Sequence, residues 1–190
     1  FGGRDDLENQ FNVKLKVVRS INGSEFVNLR MKCFLENKGV IHQTSCVYTP
    51  HKNGIVERKH RHILNVTRSL LFHSGLPLKY WGESVLTSVF LINRMPTSVL
   101  KGQSPYEVVF KKKPIFDHLR VFGRLCFATK LNNLDKFSKH AEKCVLLGYS
   151  YEKKGYKLLS LDTNSVFISR DVKIYESVFP FKLKSTIIDN

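Results

Sequence analysis

One acidic residue stands in a basic stretch of the sequence, YTPHKNGIVERKHRHIL, residues 48–64. Between residues 50 and 80 there are six Lys or Arg and a single acid, Glu57. An acid at a helix start among cations is placed to bind a divalent cation beside a phosphate, because hard cations take oxygen ligands. The alternative is structural: Glu57 interacts with the helix dipole and with Arg61, four residues on. The residues alone leave both interpretations open.

The charge of the whole chain indicates an anionic partner. The 31 Lys and Arg outnumber 16 Asp and Glu, which gives a net charge of +15, and nucleic acid is the commonest partner of such chains. A solvated basic surface is the alternative. Contacts of this kind go to phosphates and tolerate any base sequence. The candidate nucleic-acid-binding residues are Lys52, Asn53, Arg58, Lys59, Arg61 and Arg68, with Lys111–Lys113 as further candidates.

Several classes of protein are disfavoured. No apolar run reaches the ~20 residues of a membrane span. The four cysteines form no CxxC pair, which favours reduced intracellular thiols over a zinc site or disulfide framework. His60 and His62 lie two apart, so a helix points them to different faces. The start, FGGRDDLENQ, is polar and lacks Met, so we expect a fragment without a signal peptide.

The first 110 residues mix helical and strand-like patterns. Asn22-Gly23 indicates a turn, and Asn53 can cap a long helix. The helix over 78–93 is apolar on nearly every side, which predicts that it is buried. The predicted elements are strands at 13–19 and 40–42 and helices at 26–38, 54–73, 78–93 and from Pro105.

The sequence becomes strand-like after KKKP (111–114), which reads as a linker. Asp162-Thr163-Asn164 lies between two strand-like runs and predicts a hairpin. Short strands at this density favour a small β-barrel. The predicted strands lie within 119–129, 143–150, 155–161 and 165–175. We therefore expect a domain over 1–112, a second over 113–180, and a tail over 181–190.

The chain resembles the integrase region of Copia-type long-terminal-repeat retrotransposon Pol polyproteins. The motifs that carry the resemblance are RSINGSEF (19–26), GVIHQTSCVYTPHKNGIVERKHRHI (39–63), LPLKYWGESVLTSVFLINRMPTSVLKGQSPYEVVF (76–110), HLRVFGRLCFA (118–128), KCVLLGYS (143–150) and VFISRDVKIYES (166–177). It implies a mixed α/β and all-β fold. The first domain would be a partial RNase H-like integrase core without its N-terminal strands, and the second an SH3-like β-barrel.

The resemblance also implies a metal-dependent reaction, and the loss of that reaction in this chain. Intact members join element cDNA to host DNA with three carboxylates that hold two Mg²⁺ or Mn²⁺ ions. Glu57 corresponds to the third acid. The second acid belongs in a pattern like RSDNGTEF, and that position is Ile21, separated from Glu57 by the family's usual 35 residues. The first acid belongs upstream and is absent. We therefore expect no bound metal or cofactor and no strand transfer, even after Ile21→Asp.

The resemblance implies a nuclear or cytoplasmic protein that contacts the DNA backbone. It implies no membrane and no small-molecule substrate, and it leaves a homo-oligomer open. Two alternatives remain at this point. The chain is a non-enzymatic protein-interaction module built on the SH3-like barrel, or it is an inert transposon relic.

Overall fold

A computed structural model describes residues 14–20, 22–44, 54–129, 141–150 and 153–182. The chain divides into two compact units, Phe1–Arg61 and His62–Asn190.

The first unit contains a parallel strand pair joined through a helix. Strand β1 (Val17–Ser20) pairs with β2 (Ile41–Thr44), and helix α1 (Leu29–Asn37) lies between them in the sequence. Parallel strands need such a crossover connection. The predicted elements are thus present, although the predicted strand at 13–19 begins later within the described residues and residue 13 lies outside them.

The turn after β1 leads directly into α1. The backbone N–H of Phe26 donates to the carbonyl oxygen of Gly23 at 2.9 Å, in the predicted turn region. Asn28 then caps the helix, because its Oδ1 accepts from the N–H of Met31 at 2.8 Å while its Nδ2 donates to the Ser24 carbonyl at 3.0 Å. These local contacts therefore define where α1 begins.

Helix α2 (Gly54–Ser74) matches the predicted helix at 54–73 closely. From His62 onward it belongs to the second unit. There it is followed by a 3₁₀ turn (Leu78–Tyr80), helix α3 (Trp81–Ile92) and helix α4 (Pro105–Phe110). Ser104 and Glu107 form a capping box at the start of α4, which confirms the predicted start at Pro105.

The prediction that the helix over 78–93 is buried on nearly every side is wrong. Trp81 is 58% exposed and Leu86 47% exposed. The buried side of α3 instead carries small hydroxyl residues, including Ser84 and Ser88. Ser84 Oγ donates to the Thr67 carbonyl at 3.0 Å, and Thr67 Oγ1 and Ser88 Oγ lie 3.1 Å apart. Hydropathy did not identify this face, because it scores Ser and Thr as polar. Their small side chains can nevertheless be buried when their hydroxyls are hydrogen-bonded.

The second unit also contains a five-stranded antiparallel sheet with the strand order β6-β5-β4-β3-β7. Its described strands are β3 (Leu125–Thr129), β4 (Ala141–Tyr149), β5 (Tyr156–Ser160), β6 (Val166–Ser169) and β7 (Val172–Tyr175). The predicted hairpin joins β5 to β6, with Asn164 at φ +56°. The predicted strand at 119–129 starts only at Leu125, and the run 165–175 is broken into two strands. The predicted class, α/β followed by all-β, is confirmed.

Strand β4 is buried on both faces. Cys144 and Leu146 point to one cluster, which also contains Leu158. Val145 and Leu147 point to another, which includes residues of the helical segment before the sheet, Leu71 and Leu76. The helices from His62 onward and the sheet therefore share a core. The predicted boundary between residues 112 and 113 stays a prediction. Within the described ranges, no helix is long and apolar enough to cross a membrane.

Candidate nucleic-acid interface

The first turns of α2 present the predicted basic side chains to solvent. Arg58, Lys59 and Arg61 are exposed, as is Glu57 between them and the helix start. Arg58 Nε donates to the carbonyl oxygen of Gly54 at 2.9 Å, which ties this guanidinium to the first turn. We call Arg58, Lys59 and Arg61 the helix cluster. Further along α2, within the second unit, Arg68 is also exposed.

Glu57 stands in the first turn, where it complements the helix dipole. In the described part of the chain, no ion pair joins it to Arg61, the partner that the sequence spacing suggested. Nor does any group of three or more His, Cys, Asp or Glu within those residues come together as metal ligands. Glu57 is therefore positioned as a solvent-facing carboxylate at the edge of the helix cluster.

Three of the predicted site residues lie outside the described residues: Ile21, Lys52 and Asn53. The neighbours of Ile21 are described. Strand β1 ends at Ser20, whose Oγ lies 2.8 Å from His42 Nε2 on β2. Position 21 is thus the next residue in the chain after the end of β1, one residue further on than the predicted strand end at residue 19 implied.

The structure also contains a basic cavity that sequence reasoning missed. It lies in the second unit, has a volume of about 660 Å³, and is lined by segments of α3, α4, the stretch after α4, and the β4–β5 and β6–β7 connections. Its cationic lining residues are Arg94, Lys112, Lys113, Lys153, Lys154 and Arg170. Asp117 is the one acid among the described lining residues. Only Lys112 and Lys113 carried a signal in the sequence, as part of a lysine run; the fold brings in the others.

Aromatic rings form the wall of this cavity. Phe90 and Tyr149 stack with their centroids 4.2 Å apart, and His118 meets Tyr149 edge-on at 6.0 Å. The Tyr149 hydroxyl donates to the Arg120 carbonyl at 2.8 Å. Burial raises the pKa of Tyr149. Partial desolvation also lowers the pKa of His118, whose ring stays largely exposed, and the positive charges of Arg94 and Arg120 add to that effect. The environment of the cavity therefore favours the uncharged forms of Tyr149 and His118, which lie beside the cationic lining residues.

Both the sheet and the chain as a whole are similar to known proteins. A family model described as the retroviral polymerase SH3-like domain matches residues 124–187, which include all five strands of the sheet. The chain is 40% identical over 176 residues to the retrovirus-related Pol polyprotein from transposon RE1 of Arabidopsis thaliana, a match that covers 92% of the chain. Over nearly its whole length, the chain is similar to a segment of retrovirus-related Pol polyproteins. The predicted Copia-type Pol resemblance is thereby confirmed.

Other Pol polyproteins match nearly the same extent of the chain. That of transposon TNT 1-94 from Nicotiana tabacum is 35% identical over 172 residues, which are 90% of this chain. The chain spans only 12% of the length of the RE1 polyprotein and 13% of the TNT 1-94 polyprotein. It therefore corresponds to one segment of a much longer kind of protein.

Solved structures of retroviral integrases are also similar to the chain. The catalytic core domain of BIV integrase matches with a TM-score of 0.41 and 21% identity, over 56% of this chain and 65% of that one. A simian T-cell lymphotropic virus intasome chain matches with a TM-score of 0.45 and 14% identity, over 92% of this chain and 62% of that one.

Proposed function

We propose that the chain is an integrase-derived segment of a Pol polyprotein that binds DNA through backbone phosphates and does not carry out strand transfer. The observation that carries the proposal is the helix cluster: three cations exposed within the first two turns of α2. The net charge of +15 supports the DNA-binding part of the proposal, because a positively charged molecule is attracted to a polyanion at long range.

The local structure supports phosphate binding at this position. The N-terminal end of a helix carries partial positive charge, and its first N–H groups lack intrahelical partners. Arg58 is already held against the helix by its bond to the Gly54 carbonyl, so less side-chain entropy is lost when an anion binds. Lys52 and Asn53 directly precede the helix in the sequence and extend the same basic segment.

The residues of this chain do not fit the two-metal set of intact family members. Mg²⁺ and Mn²⁺ need oxygen ligands, and the hydrocarbon side chain of Ile21 offers none at the second-acid position. Without an oxygen ligand at position 21, Glu57 does not complete the set that holds two ions in the geometry of in-line phosphoryl chemistry. We therefore assign no metal-dependent step to this chain.

The DNA-binding part of the proposal is tested by fluorescence anisotropy with a labelled 30-base-pair duplex between 50 and 200 mM NaCl. We expect affinity to fall steeply with salt, and two duplexes of unrelated sequence to bind equally. If a chain shown to be folded by circular dichroism does not bind at 50 mM NaCl, the proposal is wrong.

The catalytic part is tested with the same preparation. The chain is incubated with a labelled duplex end, a target plasmid, and Mg²⁺ or Mn²⁺, and joined products are separated on a denaturing gel. We expect no product above the protein-free background. Joined product that disappears with EDTA would contradict the assignment of Ile21 as a lost ligand.

A further inference from the structure

We propose that the basic cavity of the second unit is a binding site for single-stranded nucleic acid. Its lysine rim would contact phosphates, and its aromatic wall would receive a base. This goes beyond the function proposed above, which rests on residues of the first unit and on duplex phosphates. The volume of about 660 Å³ lies in the range of sites that enclose small ligands or parts of larger ones.

The charge of the rim favours an anion. Lys112, Lys113, Lys153 and Lys154 are all exposed, and within the described residues none of them makes an ion pair. Uncompensated cations that converge on a concave, partly apolar surface concentrate the potential there. A polyanion gains from releasing its counterions at such a rim.

Arg94 gives the cavity a fixed positive group. Its guanidinium carbon lies 3.4 Å from the centroid of the Phe90 ring and 4.9 Å from that of Tyr106. Its Nη1 also donates to the Phe90 carbonyl at 3.1 Å. A guanidinium held by two rings and a backbone bond needs little ordering when a phosphate arrives.

The aromatic wall favours a nucleic acid over other polyanions, because only a nucleic acid brings bases that can stack on rings. The hydroxyls of Tyr149 and Tyr156 are both engaged with backbone carbonyls, that of Tyr156 with His118 at 2.9 Å. These residues therefore offer the cavity ring surface rather than unpaired hydroxyls. Tyr156 is half-buried and His118 is exposed, whereas the Tyr106 ring already packs against Arg94. Rings in such positions stack with bases, and only an unpaired strand has free base faces.

The rim is tested by anisotropy with a labelled ten-residue oligothymidylate and the double variant Lys153→Ala/Lys154→Ala. The matched control is Lys143→Ala/Lys173→Ala, two exposed lysines on sheet strands outside the cavity lining. We expect the cavity variant to weaken binding about fivefold or more at 100 mM NaCl, and to reduce the salt slope by about 1.4, the value for two lost single-strand phosphate contacts. The control should stay within about twofold of wild type. Equal losses in both variants, or none in the cavity variant, would overturn the proposal.

The wall is tested by comparing His118→Leu with His118→Phe, after denaturation curves show that both are folded. We expect the leucine variant to weaken oligothymidylate binding about fivefold or more, because a stacking surface is lost, and the phenylalanine variant to bind like wild type. Poly-glutamate of the same charge should compete poorly. If it competes as well as unlabelled oligothymidylate, the site is a general polyanion surface and the proposal fails.

The cavity proposal can be tested independently of the proposal that the helix cluster binds duplex DNA. The variant Arg58→Ala/Lys59→Ala/Arg61→Ala removes the helix cluster but leaves the cavity lining intact. We expect it to retain the cavity-dependent share of oligothymidylate binding, seen as a further loss when Lys153→Ala/Lys154→Ala is added. A chain that fails to bind duplex but shows this loss would refute only the duplex proposal.

Discussion

Thr87 Oγ1 donates a hydrogen bond of 3.1 Å to the carbonyl oxygen of Leu147, which joins the buried side of α3 to the C-terminal part of β4. The next residue, Gly148, has φ +136° and sits at an irregularity in the β4–β5 pairing. Tyr149 follows and lines the basic cavity. The contact between helix and strand thus sets the position of one wall of the cavity.

Gly148→Ala should destabilise the second unit more than a positive φ alone explains. A Cβ at residue 148 would collide with Thr87 Oγ1, whereas a Cβ at Gly102, with φ +84°, would meet nothing within 4 Å. We expect Gly148→Ala to lower the free energy of unfolding by about 2–4 kcal/mol and Gly102→Ala by about 1 kcal/mol. Urea denaturation followed by circular dichroism measures both, and equal losses would contradict the close packing of α3 on β4.

The stability of the chain should depend on pH through His118. Because partial desolvation and the neighbouring Arg94 and Arg120 lower its pKa, the unfolded chain takes up this proton at a higher pH than the folded one. The contribution is fully present above the unfolded pKa of about 6.5 and is lost as pH falls through the lower folded value. We expect wild type to lose stability between pH 7 and pH 5 more steeply than His118→Asn. Parallel urea-midpoint curves for the two proteins would show that the environment of His118 is not as described.

The two buried cysteines should be chemically inert while the protein is folded. Cys126 and Cys144 face each other on β3 and β4, and both are fully buried. Burial raises the pKa of Cys126 to about 12, with a further contribution from Cys144, so the reactive thiolate is scarce. Cys33 is exposed.

A thiol titration with a chromogenic disulfide reagent at pH 8 checks this in a Cys46→Ser background, which removes the cysteine that lies outside the described residues. We expect rapid reaction of Cys33 alone, and reaction of the other two only after denaturant is added. Rapid modification of Cys126 in the native protein would mean that the sheet opens far more readily than its packing indicates.

The sequence predicted best what depends on neighbours along the chain. Helix α2 and its exposed cations, such as Arg58 and Lys59, follow from local spacing, because a helix turns the charges of one short stretch to solvent. The hairpin at Asn164 likewise follows from three adjacent residues.

The sequence predicted poorly what depends on distant contacts. Ser84 and Ser88 are buried against another helix, where Thr67 makes a hydrogen bond with each of them. The basic cavity needs Arg94, the lysines after α4 and the lysines before β5 to meet, and no local pattern relates segments so far apart in the chain. Pairing of this kind is set by tertiary packing rather than by propensity.

The most direct test of the central claim compares the salt dependence of duplex binding for wild type, Arg58→Ala/Lys59→Ala/Arg61→Ala, and a matched triple variant, Lys79→Ala/Lys143→Ala/Lys173→Ala. Both triple variants remove three exposed cations, but only the first removes the helix cluster. If the cluster contacts phosphates, the first variant should bind more weakly than the matched variant and its salt slope should fall by up to about 2.7. Equal affinities and slopes for the two variants would contradict the assignment of the helix cluster as the DNA-binding surface.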